Sequence, residues 1–343
     1  MGSLRVAVAG ATGLVGRTVM QVLAERDLPI GTIIPLASVR SAGTRLLFKG
    51  EELEVRAISP RVFEGCDVVF FAADAAISRA FAPLAAEQSP LVIDNSSAFR
   101  LEPDVPLVVP EINGQLLWPA GEQAYRGIVA NPNCSTIQLV LALHPLHRAY
   151  GLVSTIVSTY QSVSGSGNRG LRALDAELAG EPLDDSPYPH RIAGNVLPHI
   201  DLIGADGWSG EERKMMAESR KILDLPKLHI AATSARVPVR IGHSEAVYAR
   251  FANRVDADQA RELLASAPGM VLEDDPSQGL YPLADHSEGR DDVFVGRIRQ
   301  DPDDNHALAM WIVADNLRKG AATNAVQIAE MVLALQGEMH VHA

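Results

Sequence analysis

Leu4-Arg5-Val6-Ala7-Val8-Ala9-Gly10-Ala11-Thr12-Gly13-Leu14-Val15-Gly16 is the stretch that decides the fold. Its first six residues read as a short buried strand, and Gly16 to Arg26 as the helix that follows. The glycines between them permit a tight turn and a close approach of backbone to a pyrophosphate, which then rests on the helix N-terminus. A glycine triplet alone is a weak signal. Placed between strand and helix, the loop Gly10 to Gly16 predicts dinucleotide binding.

The second strand, Thr32–Ala37, selects the nucleotide. A site for NAD usually offers an acid at that strand's end to hold the ribose hydroxyls. Here the chain reads Ala37-Ser38-Val39-Arg40-Ser41-Ala42-Gly43, with an arginine flanked by hydroxyls. Arg40 is suited to stack on adenine and pair with a 2′-phosphate, with Ser38 and Ser41 donating. The bland reading of Arg40 is a surface arginine. NADP is the expected cofactor.

Outward from this unit, further strands at Asp67–Ala72 and Pro90–Asp94 flank a helix near Ile77–Gln88. Such alternation to about residue 130 indicates a doubly wound parallel α/β sheet. From about residue 151 the texture changes. β-Branched strands at 152–160, 229–239, 245–252 and 307–313, with helices near 171–179, 211–223 and 257–265, predict an α+β domain with a mixed or antiparallel sheet. A last helix, 321–335, carries Ala325, Ile328, Ala329, Val332 and Leu333 on one stripe.

At the junction lies Asn131-Pro132-Asn133-Cys134-Ser135-Thr136. Arg126–Ala130 reads as a strand, and Ser135–Tyr150 as a helix with Ile137, Val140 and Leu141 on one face. Cys134 then falls in a first helical turn, where backbone N–H groups and the dipole favour a thiolate nucleophile. The competing reading is a small buried apolar residue. Cys66, the other of two cysteines, follows the Glu64-Gly65 turn and is expected in the core.

Three more segments suggest chemistry. Tyr160-Gln-Ser-Val-Ser-Gly-Ser-Gly167 follows a strand; Gln161 would orient a carbonyl, and Ser164 with Gly165 would admit a planar ring, unless this is a plain loop. In Arg236-Val-Pro-Val-Arg-Ile-Gly-His243, the guanidinium suits a carboxylate and the imidazole suits proton transfer, although a lone histidine is more often structural. Glu211-Glu-Arg-Lys214 opens a helix and by itself reads as a solvated capping turn.

Bulk properties set the frame. The chain has 343 residues, 47% of them hydrophobic, with a formal charge of −12. Mean hydropathy is near zero. Two domains of a soluble globular protein are expected, and the charge argues against a nucleic-acid partner. No secretory signal or apolar run long enough for a membrane span is seen, so a reducing, cytoplasmic setting without disulfides is expected. No metal is expected: the histidines, including His340 and His342 in what reads as a frayed tail, lack ligand spacing. The acidic loop Asp301–Asn305 lacks calcium-loop spacing and reads as a solvated turn.

Taken in order, GATGLVG, LASVRSAG, IDNSSAFR, VPEIN, NPNCST, YQSVSGSG, NVLPHID, EERKM, RVPVRIGH and DNLRKGAATNAVQIAE closely resemble the aspartate-β-semialdehyde dehydrogenase family over nearly the whole chain. The resemblance implies a Rossmann-type domain over 1–132 completed by 321–343, and a catalytic and dimerisation domain over 133–320. It implies NADPH-dependent reduction of L-4-aspartyl phosphate to L-aspartate 4-semialdehyde, a step toward lysine, threonine and methionine, in a homodimer or homotetramer. Cys134 would be the nucleophile, His243 the acid/base group and Gln161 a catalytic and substrate-binding partner. Arg236 would hold the α-carboxylate and Glu211 the α-amino group. Arg100, Asn133 and Lys214 would form the phosphate site, and the basic trio Arg100, Lys214 and Arg236 would set a local positive field against the net charge. Gly10 and the stretch Thr12 to Val15 (Thr12, Gly13, Leu14, Val15), together with Ser38, Arg40, Ser41, Ser164, Gly165 and Asn316, would bind NADP. One departure stands out: a Ser-Ala-Gly-Gly-like turn is replaced by Ala72-Ala-Asp-Ala-Ala76, which removes a hydroxyl and two permissive glycines near the cofactor. N-acetyl-γ-glutamyl-phosphate reductase and a catalytically silent paralogue are the alternatives. The first shows a different cysteine neighbourhood; the second would tend to lose Cys134, Gln161 or His243.

Overall fold

The structure is a computed structural model that describes residues 3–118, 124–181 and 183–341. His342 lies outside the described residues. The chain divides into two compact units, Met1–Pro132 with Ala321–Ala343, and Asn133–Gly320.

In the first unit the chain runs β1 (Leu4–Ala9), α1 (Leu14–Glu25), β2 (Ile30–Ala37), β3 (Arg45–Phe48), β4 (Glu51–Glu54), β5 (Arg56–Ala57), β6 (Val68–Phe71), α2 (Ala75–Gln88), β7 (Leu91–Asp94), α3 (Pro110–Asn113) and β8 (Gly127–Ala130). A six-stranded sheet has the order β5-β2-β1-β6-β7-β8, and every pairing in it is parallel. The winding direction reverses between β1 and β6, which puts a crevice beyond the carboxyl end of β1. β6 and β7 are buried along their whole length, as parallel strands covered on both faces must be. Val6 and Val8 pack on one face with α1 and with Ala325, Ile328 and Val332 of the C-terminal helix, Thr323–Val341. Ala7 and Ala9 point the opposite way, into a core shared with Ala82 and Ala85 of α2. The apolar stripe of the last helix thus closes the Rossmann-type core. Cys66 belongs to the second of these cores, and burial pushes its thiol up, away from a reactive thiolate.

The second unit contains α4 (Cys134–Tyr150), β9 (Leu152–Gln161), α5 (Gly167–Leu178), α6 (Gly210–Ile222), β10 (His229–Arg236), β11 (His243–Phe251), α7 (Ala257–Ala265), β12 (Met270–Leu272), α8 (Ala284–Ser287), β13 (Val293–Gln300) and β14 (Ala307–Ala314). Its sheet has the order β10-β9-β11-β14-β13-β12. The two outer pairs are parallel and the inner ones antiparallel, so the sheet is mixed, as expected.

Two sequence expectations need amending. α4 is no one-sided helix: Ser135 through Leu143 are all buried, so its apolar residues serve every face. β13 was not anticipated, because Gly296 and the positive φ of Arg297 (52°) interrupt its apolar run with a bulge. In the turn after β13, Asp301 accepts the N–H groups of Asp303 and Asp304 and the Tyr248 hydroxyl. Among the described residues, no helix is long and apolar enough to cross a membrane.

Candidate active site

The nucleotide loop belongs wholly to the first unit. Gly10 has φ +84°, and a Cβ there would fall 2.3 Å from the Ala72 carbonyl oxygen. At Gly16 a Cβ would fall 2.1 Å from the Gly10 oxygen, so only glycine lets α1 start this close to the strand. Gly13 begins α1 without a capping side chain, which leaves first-turn N–H groups for an anion. Ser38 and Arg40 are exposed beyond β2, around a single turn at Val39–Ser41. The glycine turn and the uncapped start of α1 fit the pyrophosphate of a dinucleotide. The Ala72–Ala76 departure proves benign to the backbone. None of these residues has a positive φ, so the turn does not demand glycine. Asp74 supplies the cap of α2, accepting the Ile77 N–H at 3.0 Å. Arg100 is buried in the same unit, donating from Nε to the Asn131 carbonyl at 2.9 Å and from Nη2 to that of Asn95 at 2.7 Å.

In the second unit, Cys134 opens α4 and is half-buried. Asn133 sets its position. The Asn133 Oδ1 accepts the N–H groups of Ser135 (3.0 Å) and Thr136 (3.2 Å), capping the helix. Its Nδ2 donates to Glu211 Oε1 at 2.9 Å, and its backbone N–H to Glu218 Oε2 at 2.7 Å. Gly320 lies against the cysteine, since a Cβ there would come within 3.1 Å of Cys134 Cβ.

Glu211 gathers the neighbouring polar groups. Its Oε1 also accepts Gln161 Nε2 at 3.1 Å, and Gln161 in turn donates to the Ser135 hydroxyl. Lys214 Nζ lies 3.4 Å from Glu211 Oε2 and 2.7 Å from Asp201. The segment at 211–214 therefore does more than the solvated turn its sequence suggests, although Ser209 and Glu212 do form a capping box. Lys214 also departs from the expected positive field: two carboxylates offset its charge.

A second cluster forms where strands end. Arg236, the last residue of β10, is in register with Gln161 of β9, and His243 begins β11 on the other side of β9. Arg236 Nη1 donates to the Ser162 carbonyl at 2.8 Å. The fully buried His243 ring accepts the Ser162 N–H at Nδ1, 3.1 Å away. Its Nε2 and the Arg236 Nη1 converge over Gly165, where a Cβ would stand 3.4 and 2.6 Å from them. Asn316 ties the turn together: its Oδ1 accepts the hydroxyls of Ser162 (3.0 Å) and Ser164 (3.1 Å) and the Gly242 N–H (3.0 Å). Burial, then the Arg236 charge, holds the His243 pKa well below its ordinary value.

Asn133, Gln161, Glu211 and Lys214 are thus brought into one hydrogen-bonded neighbourhood beside Cys134, and Arg236, His243, Ser164, Gly165 and Asn316 into another around the ends of β9 and β10 and the start of β11. Arg100 and the residues from Gly10 to Ser41 belong to the first unit. Ser162, Glu218 and Gly320 were not singled out from sequence. Ser162 stands inside a quoted motif, but the N–H that carries its role has no residue signature. A half-exposed cysteine at a helix N-terminus, with a buried carboxylate, amide, guanidinium and imidazole on adjoining elements, suits acyl transfer through sulfur.

Residues 5–118 match the family model described as semialdehyde dehydrogenase, NAD binding domain, and residues 143–319 match that of the semialdehyde dehydrogenase dimerisation domain. The aspartate-semialdehyde dehydrogenase of Aquifex aeolicus is 46% identical over 335 residues, which covers 96% of this chain and 98% of that protein. The chain belongs to the aspartate-semialdehyde dehydrogenase family. A crystal structure of aspartate semialdehyde dehydrogenase II from Vibrio cholerae complexed with ASA superposes with a TM-score of 0.92 at 39% identity, covering 97% of this chain and 99% of that one. The Candida albicans member, solved with NADP, gives a TM-score of 0.75 at 26% identity, covering 98% of this chain and 99% of that one. Within the family frame, the NAD-binding domain corresponds to the Rossmann-type unit and the dimerisation domain to the unit with the mixed sheet.

Proposed function

We propose that this chain is an NADP-dependent aspartate-semialdehyde dehydrogenase. In the biosynthetic direction it reduces L-4-aspartyl phosphate to L-aspartate 4-semialdehyde and releases inorganic phosphate, on the route to lysine, threonine and methionine. The observation that carries this reading is the anchoring of Cys134: the residue before it is held at once by helix N–H groups, Glu211 and Glu218. A thiolate there attacks the acyl carbon and expels phosphate, leaving a thioester, which accepts hydride more readily than a carboxylate would. NADPH, when bound, supplies that hydride. Gly10, Thr12, Gly13, Leu14 and Val15 hold its pyrophosphate; Ser38, Arg40 and Ser41 hold its 2′-phosphate; Ser164, Gly165 and Asn316 complete its contacts. Arg236 binds the substrate α-carboxylate, Glu211 its α-amino group, and Gln161 its acyl end. Arg100, Asn133 and Lys214 serve the phosphate, and His243 serves the acyl oxygen.

A second copy of this chain is the protein partner, as a homodimer or homotetramer. Support comes from the outer face of the second sheet, where Ile156 and Tyr160 of β9 are exposed and the Tyr160 ring lies tilted against Trp311, with centroids 5.4 Å apart.

Oxidative turnover of aspartate semialdehyde with phosphate and NADP tests the reading. Activity is expected with the native enzyme and a loss of at least about 10³-fold with Cys134→Ser. Turnover of the N-acetylglutamate analogue alone would favour the acetylglutamyl-phosphate reductase instead, and silence with both a non-catalytic paralogue.

A further inference from the structure

Asp201 stands at a position few residues could fill. Its φ is +68°, a left-handed conformation that aspartate and asparagine tolerate better than other side chains do. Its Oδ1 accepts the Leu202 N–H at 2.8 Å. From there a short hairpin, bridged between Ile203 and Ser209, returns the chain to the start of α6, where the Gly210 N–H donates to the Leu202 carbonyl at 2.8 Å. Gly210 opens that helix, and a Cβ on it would fall 2.5 Å from Asp201 Oδ2. The missing side chain lets the carboxylate lie against the first helical turn, and there it meets Lys214 Nζ at 2.7 Å.

The pairing singles out Lys214. The adjacent Arg213 is taken by Asp206 within the same hairpin. Partial burial works against ionisation of Asp201, but the Lys214 ammonium and the Leu202 N–H together hold its carboxyl below the usual value. Of the two carboxylates on Lys214, Glu211 is buried and committed to Asn133 and Gln161 as well. Asp201 is the replaceable one. Its side chain is 40% exposed and that of Lys214 28%, so water can take over from either partner, and a pair in that setting contributes little net energy.

We propose that Asp201 is a built-in counter-ion, which occupies Lys214 until the substrate's phosphate group displaces it and returns to the ammonium as phosphate leaves. The inference rests on the assignment of Lys214 to the phosphate site. A phosphate brings more negative charge and more acceptor oxygens to the ammonium than a carboxylate does, so the exchange favours the substrate. On turnover the Cys134 thiolate breaks the C–O bond and phosphate must depart. The returning carboxylate re-pairs the lysine that phosphate abandons, which keeps product release from becoming slow. Asp201 thus weakens phosphate binding and is a specificity-determining residue without touching the reacting atoms.

The test is Asp201→Asn, assayed in the oxidative direction with inorganic phosphate varied. Asparagine accepts the positive φ and keeps an oxygen for the Leu202 N–H, so the hairpin is retained. The KM for phosphate should fall about 3- to 10-fold, the range for a charge pair between exposed and half-buried. Asp201→Gly, which suits the same φ, should lower it in the same sense. In the biosynthetic direction, inorganic phosphate should inhibit both variants at correspondingly lower concentration. A second arm repeats Asp201→Asn in a Lys214→Met background. Phosphate KM should there change by less than about 2-fold, because no ammonium is left to withhold. A phosphate KM that is unchanged or raised by Asp201→Asn overturns the proposal, since a carboxylate that merely positions Lys214 would weaken phosphate binding when removed. An equal fall in both backgrounds also overturns it. Oxidation of aspartate semialdehyde that needs no phosphate at all would instead sink the reading of the enzyme on which the inference rests.

Discussion

At the residue scale, small atoms decide where large groups sit. A methyl group at Gly165 would stand 2.6 Å from Arg236 Nη1, so Gly165→Ala must displace the guanidinium that is to clamp the substrate. Gly165→Ala is expected to raise KM for aspartate semialdehyde by about 10-fold or more, because misplacement by an ångström is costly in an oriented site. Steady-state kinetics beside a thermal melt checks this; an unchanged KM would show that the clamp lies elsewhere. Glu245 poses the opposite problem, a carboxyl fully buried on β11 and eased only by the Gln138 side chain. Burial pushes its pKa well above the ordinary carboxylate value, with Glu211 adding to the effect. A pKa raised on folding means that the folded protein holds a proton which the unfolded chain has already released. Stability is therefore lost as pH rises from the unfolded value toward the folded one. Glu245→Gln should melt higher than the native enzyme at neutral pH, by about 2–4 °C for each kcal/mol regained, and no higher once the pH falls below the unfolded value. A gap between the two that does not narrow on acidification would refute a neutral Glu245.

At the scale of elements, α4 carries the chemistry because of how it begins. Asn133 caps the helix with its oxygen and reaches Glu211 with its nitrogen, so Asn133→Asp separates the two roles. The carboxylate keeps the cap and faces the helix dipole favourably, but it sets a like charge beside Glu211 and close to the thiolate. Stability is expected to hold within about 1 kcal/mol. Iodoacetamide should alkylate Cys134 more slowly at neutral pH, its rate rising only at higher pH. A rate profile identical to that of the native enzyme would refute a charge-sensitive thiolate. The same element shows where reading a sequence stops. The apolar spacing of 135–150 identified a helix, but a stripe and a fully buried cylinder look alike when nearly every position is apolar. The bulged β13 shows the converse, a strand whose pattern is broken by a glycine and by a residue with positive φ.

For the whole molecule, the sheet of the second unit leaves an unpartnered face on which Ile156 is 55% exposed. Ile156→Asp should weaken self-association by at least about 10-fold in sedimentation velocity, since a charge at the core of an interface must be desolvated on assembly. Unchanged sedimentation would place the subunit contact elsewhere. The sequence by itself determined what is local. It identified the parallel sheet from short apolar strands alternating with helical patterns, and the nucleotide loop from glycines placed between the first strand and the first helix. Only the tertiary structure decided how the site residues are held. The grip of Glu211 and Glu218 on Asn133, the Asn316 clamp and the Ser162 N–H on His243 join residues 74 to 154 positions apart. No residue pattern along one strand or helix encodes such contacts, because they exist only once separate elements have packed.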